Sequence, residues 1–183
     1  SGARLLQAGA AVSGGDPSGL WLGAEGEMTV YLIRHGLTAA NERRLYCGAA
    51  DPPLSASGAE GIRKLNDQGI YPPVQGLTLY TSGMLRAEQT LELIYGRLPH
   101  TVLPAFAEMS FGDFEMRGYE ELKENPAYLA WIDDRTGTAA CPGGESSRAF
   151  CERVFAAFDE LQKTHQPAFL VTHGGVIARL MAH

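Results

Sequence analysis

The sequence predicts an α/β fold: a three-layer α/β/α sandwich around a mostly parallel central sheet. Two observations carry this expectation. Strand-like and helix-like patterns alternate through residues 28–183, the order that builds parallel sheets through helical crossovers. The runs "MTVYLIR" (28–34) and "AFLVT" (168–172) are apolar almost throughout, as strands buried on both faces must be.

Each element has its own signal. Residues 1–27 contain seven glycines and the linker-like "SGGDPSG", so they are expected to be an N-terminal extension of no assigned function, native or vector-derived. The segment "RLLQAGAAVSGG" is only faintly like a signal peptide, because its apolar part is short and interrupted by Gln7. The first regular element is expected to open at Met28. Ser57 with Glu60 three residues on forms a capping-box pattern, and a helix is expected to run to about Gly69. "LTLYT" (77–81) is a second strand, and "MLRAEQTLELIY" (84–95) is a helix closed by Gly96. "TVLP" (101–104) is a short third strand. Residues 119–134 read as two short helices parted before Pro126. From Glu145 to about His165 runs the longest helix, with Phe150, Val154, Phe158 and Leu161 on one stripe. After strand 168–172, Gly174-Gly175 opens a helix still running at His183. There is no internal repeat.

Composition narrows the function. The 183 residues are 45% hydrophobic and 20% charged, as expected for one soluble domain over 28–183. A net charge of -6 argues against nucleic-acid binding. Cys47, Cys141 and Cys151 are odd in number and show no CxxC spacing, so neither a disulfide framework nor a zinc site is expected, and a reducing cytoplasm fits. No apolar run has the roughly 18 residues of a membrane span. No P-loop or GxGxxG is present and His100, His165 and His183 lack metal-ligand spacing, so no cofactor and no metal is expected.

The chemistry lies at the strand ends, where open α/β sheets hold their ligands. Strand 28–34 delivers Arg34 and His35, strand 168–172 delivers His173, and Arg86 lies in the first turn after strand 77–81. Three cationic or cationisable ends suit a phosphate monoester dianion. Backbone N–H groups at the Gly174 helix start can add to them. Taken singly, Arg-His-Gly is a weak motif, His173 a structural hydrogen-bonder and Arg86 a solvated helix residue. Only their sharing one sheet edge makes them a site.

The ordered motifs "LIRHGLTAAN", "YCGAADPPLSASG", "TSGMLRAEQT", "EMSFGDFE" and "LVTHGG" resemble the histidine phosphatase superfamily, in the branch that includes cofactor-dependent phosphoglycerate mutases. The resemblance runs from Met28 to the end. "LYCGAADPPLS" and "EMSFGDFEMR" are most similar to α-ribazole phosphatases, which act in cobalamin assembly. The resemblance implies that His35 is the nucleophile that becomes phosphohistidine, that Arg34, Arg86 and His173 hold the phosphoryl oxygens, that Asn41 lies near the phosphate, and that Glu108 protonates the leaving group. It also implies a further strand and tail beyond His183, so the domain is expected to be incomplete at its C-terminus. Many relatives carry Trp-Glu-Gly where this chain has Phe114-Glu115-Met116.

Physical chemistry is consistent with these roles. Imidazole attacks only as the neutral base, and neighbouring guanidinium charges disfavour its protonation. Glu108 stands among Phe106, Met109 and Phe111, surroundings expected to favour a protonated carboxyl. Glu115, in the same loop, is the rival acid, and a plain surface acid is the bland reading of Glu108. The expected activity is hydrolysis of a small phosphate ester, with α-ribazole 5'-phosphate the candidate. A mutase-like phosphotransferase and a non-catalytic phosphate-binding regulatory module are the alternatives. The stretch from Glu108 to His173 is filled mostly by expected helices, which leaves little for a covering insertion and favours water as acceptor. The oligomeric state has no signal in the sequence.

Overall fold

The computed structural model describes residues 4–8 and 28–183. Among the described residues five strands form one sheet in the order β1-β2-β5-β3-β4, and every described pairing is parallel. They are β1 (Arg4–Ala8), β2 (Thr29–Arg34), β3 (Thr78–Thr81), β4 (Thr101–Val102) and β5 (Ala168–Thr172). The helices are α1 (Ala39–Glu42), α2 (Ala56–Asp67), α3 (Leu85–Tyr95), α4 (Tyr119–Leu122), α5 (Pro126–Asp133), α6 (Ser147–Gln162) and α7 (Gly174–Ala182).

Strand alternation creates the three layers. Val30 and Leu32 of β2 and Ala168 and Leu170 of β5 pack with Phe150, Val154, Phe158 and Leu161 of α6 and Val176, Ile177 and Leu180 of α7. The intervening Ile33, Phe169 and Val171 meet Ile62 of α2 and Ala87, Leu91 and Ile94 of α3 on the opposite face. Successive strand side chains point to opposite faces, so a continuous apolar run fills both cores. All five residues of β5 are buried.

Several elements start or stop elsewhere than expected. Arg4–Ala8 pairs with β2 in the register Arg4↔Thr29 to Ala8↔Ile33, so the first strand lies within 1–27. The rest of that segment falls outside the described residues. Ser55, not Ser57, caps α2: its Oγ accepts from Gly58 N at 3.1 Å. The Ser57 hydroxyl bonds Glu42, as does that of Ser55. Helix α1 had no prior signal; it is a single turn closed by a Thr38–Asn41 capping box. Strand β4 is two exposed residues, cut short where Leu103 leads into a 3₁₀ turn at Pro104–Phe106, proline having no N–H for a ladder. The split before Pro126 is present, with Asn125 as cap for α5. Helix α3 ends at Gly96, whose φ of 77° suits a residue without Cβ.

Candidate active site

The three central strands β2, β5 and β3 are neighbours, and their hydrogen-bond ladder continues past their ends. His35 N donates to Thr172 O (3.0 Å) and Ser82 N to Val171 O (3.2 Å). His35 and His173 are thereby set side by side, ring centroids 5.1 Å apart. Arg34 stands exposed at the end of β2. Its guanidinium lies over Gly174, where a Cβ would approach Nε to 3.3 Å.

His35 is oriented by its own backbone. Its Nδ1 sits 2.7 Å from Gly36 O. A carbonyl can only accept, so the ring proton belongs on Nδ1 and Nε2 carries the free lone pair. Burial, reinforced by the Arg86 and Arg34 charges, lowers the imidazole from its usual 6.5 to about 4, against the opposing pull of the Gly36 carbonyl. A base held neutral by desolvation and neighbouring cations is ready to attack at ordinary pH.

His173 is fully buried. Burial first, then the charges of Arg86 and its other neighbours, lowers it from 6.5 to about 2. Its Nε2 lies 2.8 Å from the Ser82 hydroxyl, while Nδ1 has no partner among the described residues. Met84 N approaches the Ser82 oxygen at 3.4 Å, which leaves the hydroxyl proton for Nε2. His173 then keeps its own proton on Nδ1, as a neutral donor for an anion. Sequence reasoning missed Ser82, although it follows β3 directly, just as His35 and His173 follow their strands.

Arg86 is 1% exposed, and the loop before α2 encloses its guanidinium. Nη2 donates to Gly48 O (2.9 Å), and Nη1 to Ala50 O (2.8 Å) and to Asp51 Oδ1 (3.3 Å). Its buried Nε has no partner among the described residues. An orphaned Nε on Arg86 and an orphaned Nδ1 on His173 at one sheet edge are two unsatisfied donors, the signature of an anion site.

Asn41 is half-committed. Its Oδ1 accepts from Thr38 N (2.9 Å) and Thr38 Oγ1 (3.0 Å) in the α1 cap, so the side-chain N–H₂ is what it can offer a ligand.

The two acids separate clearly. Glu108 reaches the first turn of α7, where Oε2 accepts from Gly175 N (2.9 Å) and Oε1 from its own neighbour Met109 N (3.0 Å). Phe106 and Met109 are buried in the core, and the backbone N–H groups of Gly175 and Met109 face the carboxyl. Of the backbone N–H groups at this helix start, that of Gly175 is taken by Glu108. A Cβ on Gly175 would fall 2.2 Å from Glu108 Oε1, which explains the second glycine of the pair. Behind Glu108, Arg153 donates to the carbonyls of Ala105 (2.8 Å), Ala107 (3.1 Å) and Glu108 (3.5 Å). Glu145 holds Arg153 through a 2.8 Å contact. Glu115 points away from this chemistry, and its carboxylate accepts from Gly48, Ala49, Ala50 and Phe111 N–H groups.

A cavity of about 580 Å³ opens beside His35, lined by Arg34, His35, Leu37, Ile62, Lys64 and Tyr71 among others. It lies on the α2 side, and Glu108 is not in its wall. Among the described residues no group of three His, Cys, Asp or Glu is arranged to hold a metal, and no helix is long and apolar enough to cross a membrane.

A neutral histidine at a strand end, flanked by two arginines, a second buried histidine and a carboxyl, describes a class of phosphoryl-transfer site that works through a histidine. The family model of the histidine phosphatase superfamily (branch 1) matches residues 30–183, and the chain belongs to that superfamily. Its relatives include the adenosylcobalamin/alpha-ribazole phosphatase of Escherichia coli strain K12, 36% identical over 162 residues that span 85% of this chain and 78% of the relative. The solved alpha-ribazole phosphatase of Shigella flexneri superposes with a TM-score of 0.72 at 34% identity, covering 84% of this chain and 77% of that one. A phosphoglycerate mutase from Thermus thermophilus superposes with a TM-score of 0.68 at 37% identity, covering 84% and 82%.

Proposed function

We propose that the protein is a phosphomonoester hydrolase that works through a phosphohistidine on His35 and takes α-ribazole 5'-phosphate, or a closely similar nucleotide-like ester, as substrate. The observation that carries the reading is the Nδ1–Gly36 O bond, which leaves His35 Nε2 as a buried, unprotonated nucleophile beside two orphaned donors. In the first step the Nε2 lone pair forms an N–P bond while the ester P–O bond breaks, and Glu108 gives its proton to the departing alkoxide. In the second, water attacks phosphorus, Glu108 takes a proton from it, and the N–P bond returns its pair to Nε2. Arg34, Arg86 Nε and His173 Nδ1–H bind the equatorial oxygens in both steps. Asn41 N–H₂ and the α7 start at Gly174 complete the phosphate side.

The substrate identity is supported by the activity for which the relatives in Escherichia coli and Shigella flexneri are named. In this reading 28–183 is the phosphatase domain and 1–27 stands outside it, apart from the strand it lends to the sheet edge. Cys47, Cys141 and Cys151 are free thiols, as a reducing cytoplasm keeps them.

Likeness to a phosphoglycerate mutase favours a second reading, transfer to another hydroxyl, and one experiment separates the two. The protein is incubated with 3-phosphoglycerate and catalytic 2,3-bisphosphoglycerate, and separately with α-ribazole 5'-phosphate. Release of inorganic phosphate from the ribazole ester, with phosphate on His35 after an alkaline quench, is expected. Rapid formation of 2-phosphoglycerate with little inorganic phosphate from either ester would overturn the hydrolase reading.

A further inference from the structure

Glu115 is the most heavily bonded carboxylate near the site, yet it has no place in the two chemical steps. Its oxygens accept from Gly48 N (2.9 Å), Ala49 N (2.8 Å), Ala50 N (3.2 Å) and Phe111 N (2.8 Å). The same loop, 48–50, turns its carbonyls the other way: Gly48 O and Ala50 O accept from Arg86. A short stretch of peptide thus lies between an anion and a cation with its N–H ends on the anion and its C=O ends on the cation. Each charge orients the peptide units that satisfy the other, and such chains of bonds polarise one another.

The packing leaves the loop little alternative. A Cβ on Gly48 would fall 1.7 Å from Met109 O, so the loop lies flat against the segment that carries Glu108. Glu115 also ties Phe111 of that segment to the loop. Remove the carboxylate and the N–H groups of 48–50 lose their acceptor. The loop can then rotate, and the Arg86 fork loses the two carbonyls that hold its Nη atoms.

We infer that Glu115 is a positioning residue: through the peptide units of 48–50 it fixes the Arg86 guanidinium so that Nε faces the phosphate. The inference rests on the phosphate-site reading above. It also accounts for a glutamate here despite the altered flanking residues Phe114 and Met116.

The test uses the full chain, with orthovanadate as the phosphate probe. Glu115→Gln, which keeps the side-chain size but puts an amide N–H₂ against N–H donors, is expected to lose about tenfold to a hundredfold in vanadate affinity, as outer hydrogen-bond partners of a site typically do. In an Arg86→Lys background the same substitution is expected to cost no more than about threefold, because both changes remove one coupled unit. A merely structural role predicts losses that add. If Glu115→Gln does not fold, Glu115→Asp is the second variant. In the wild-type protein, vanadate should also shift the amide resonances of Gly48, Ala49 and Ala50. Additive losses, unchanged vanadate affinity in the Glu115 variants, or stationary loop amides would overturn the inference. Failure of the wild-type chain to bind vanadate at all would instead sink the phosphate-site reading on which it stands.

Discussion

His35 is a base made by its surroundings rather than by its sequence neighbours alone. Desolvation dominates, and the guanidiniums of Arg86 and Arg34 add to it. In the free protein its ring is therefore expected to stay neutral well below the usual histidine range. An NMR titration should place its midpoint near 4; a midpoint near 6.5 would show that the site is wetter than its packing implies. Arg34, His35 and His173 were legible from the chain because each occupies the position at or just beyond a strand end, where the fold class puts ligands. Arg86 was legible for the same reason, one helical turn on. Choosing between Glu108 and Glu115 from spacing alone was not possible. They share a loop and differ only in which backbone N–H groups they meet, and those groups belong to segments up to 67 positions away.

The first turn of α7 does more than end a strand. Gly174 admits the Arg34 guanidinium and Gly175 admits the Glu108 carboxyl, so one dipeptide brings the proposed phosphate-binding arginine and the proposed acid to the same helix end. Gly175→Ala is accordingly expected to behave like Glu108→Gln. Both should depress turnover of alkyl phosphates strongly and of p-nitrophenyl phosphate little, because nitrophenolate leaves without a proton. Comparing kcat/KM for the two ester types in each variant checks this, and equal losses on both would argue against proton donation by Glu108. Periodicity identified β5 and the stripe of α6 correctly, since those patterns arise from burial itself. The α2 cap shifted by two residues because two nearby serines offer the same cap chemistry; Glu42 engages both hydroxyls, and Ser55 is the one whose Oγ meets Gly58 N. The two-residue β4 was overextended because Leu103 is apolar but belongs to the turn.

For the molecule as a whole, two buried neutral histidines link stability to acidity. Their folded values lie near 4 and 2, below the unfolded 6.5, so between pH 6.5 and 4 the unfolded chain binds protons that the folded chain refuses. Their contribution is complete above 6.5 and is lost as the pH falls through that window, at up to about 1.4 kcal/mol per pH unit for each group. Denaturant midpoints should decline over this range, and a His35→Asn/His173→Asn double variant should flatten the decline; an unchanged slope would mean the groups are not the cause. The α/β class and its parallel sheet were readable because alternation of patterns specifies crossovers. The strand at Arg4–Ala8 was not, because a glycine-rich segment with one short apolar run carries no sign of the edge it will pair with. The strand order has a further consequence. β5 is the last described strand in the chain, yet it inserts between β2 and β3, pairing Val30 with Ala168. Loops that long close slowly, and until β5 inserts, Arg34 and His35 stand apart from His173. The two histidines thus meet only once the centre of the sheet has closed, and phosphate affinity becomes a reporter of that closure.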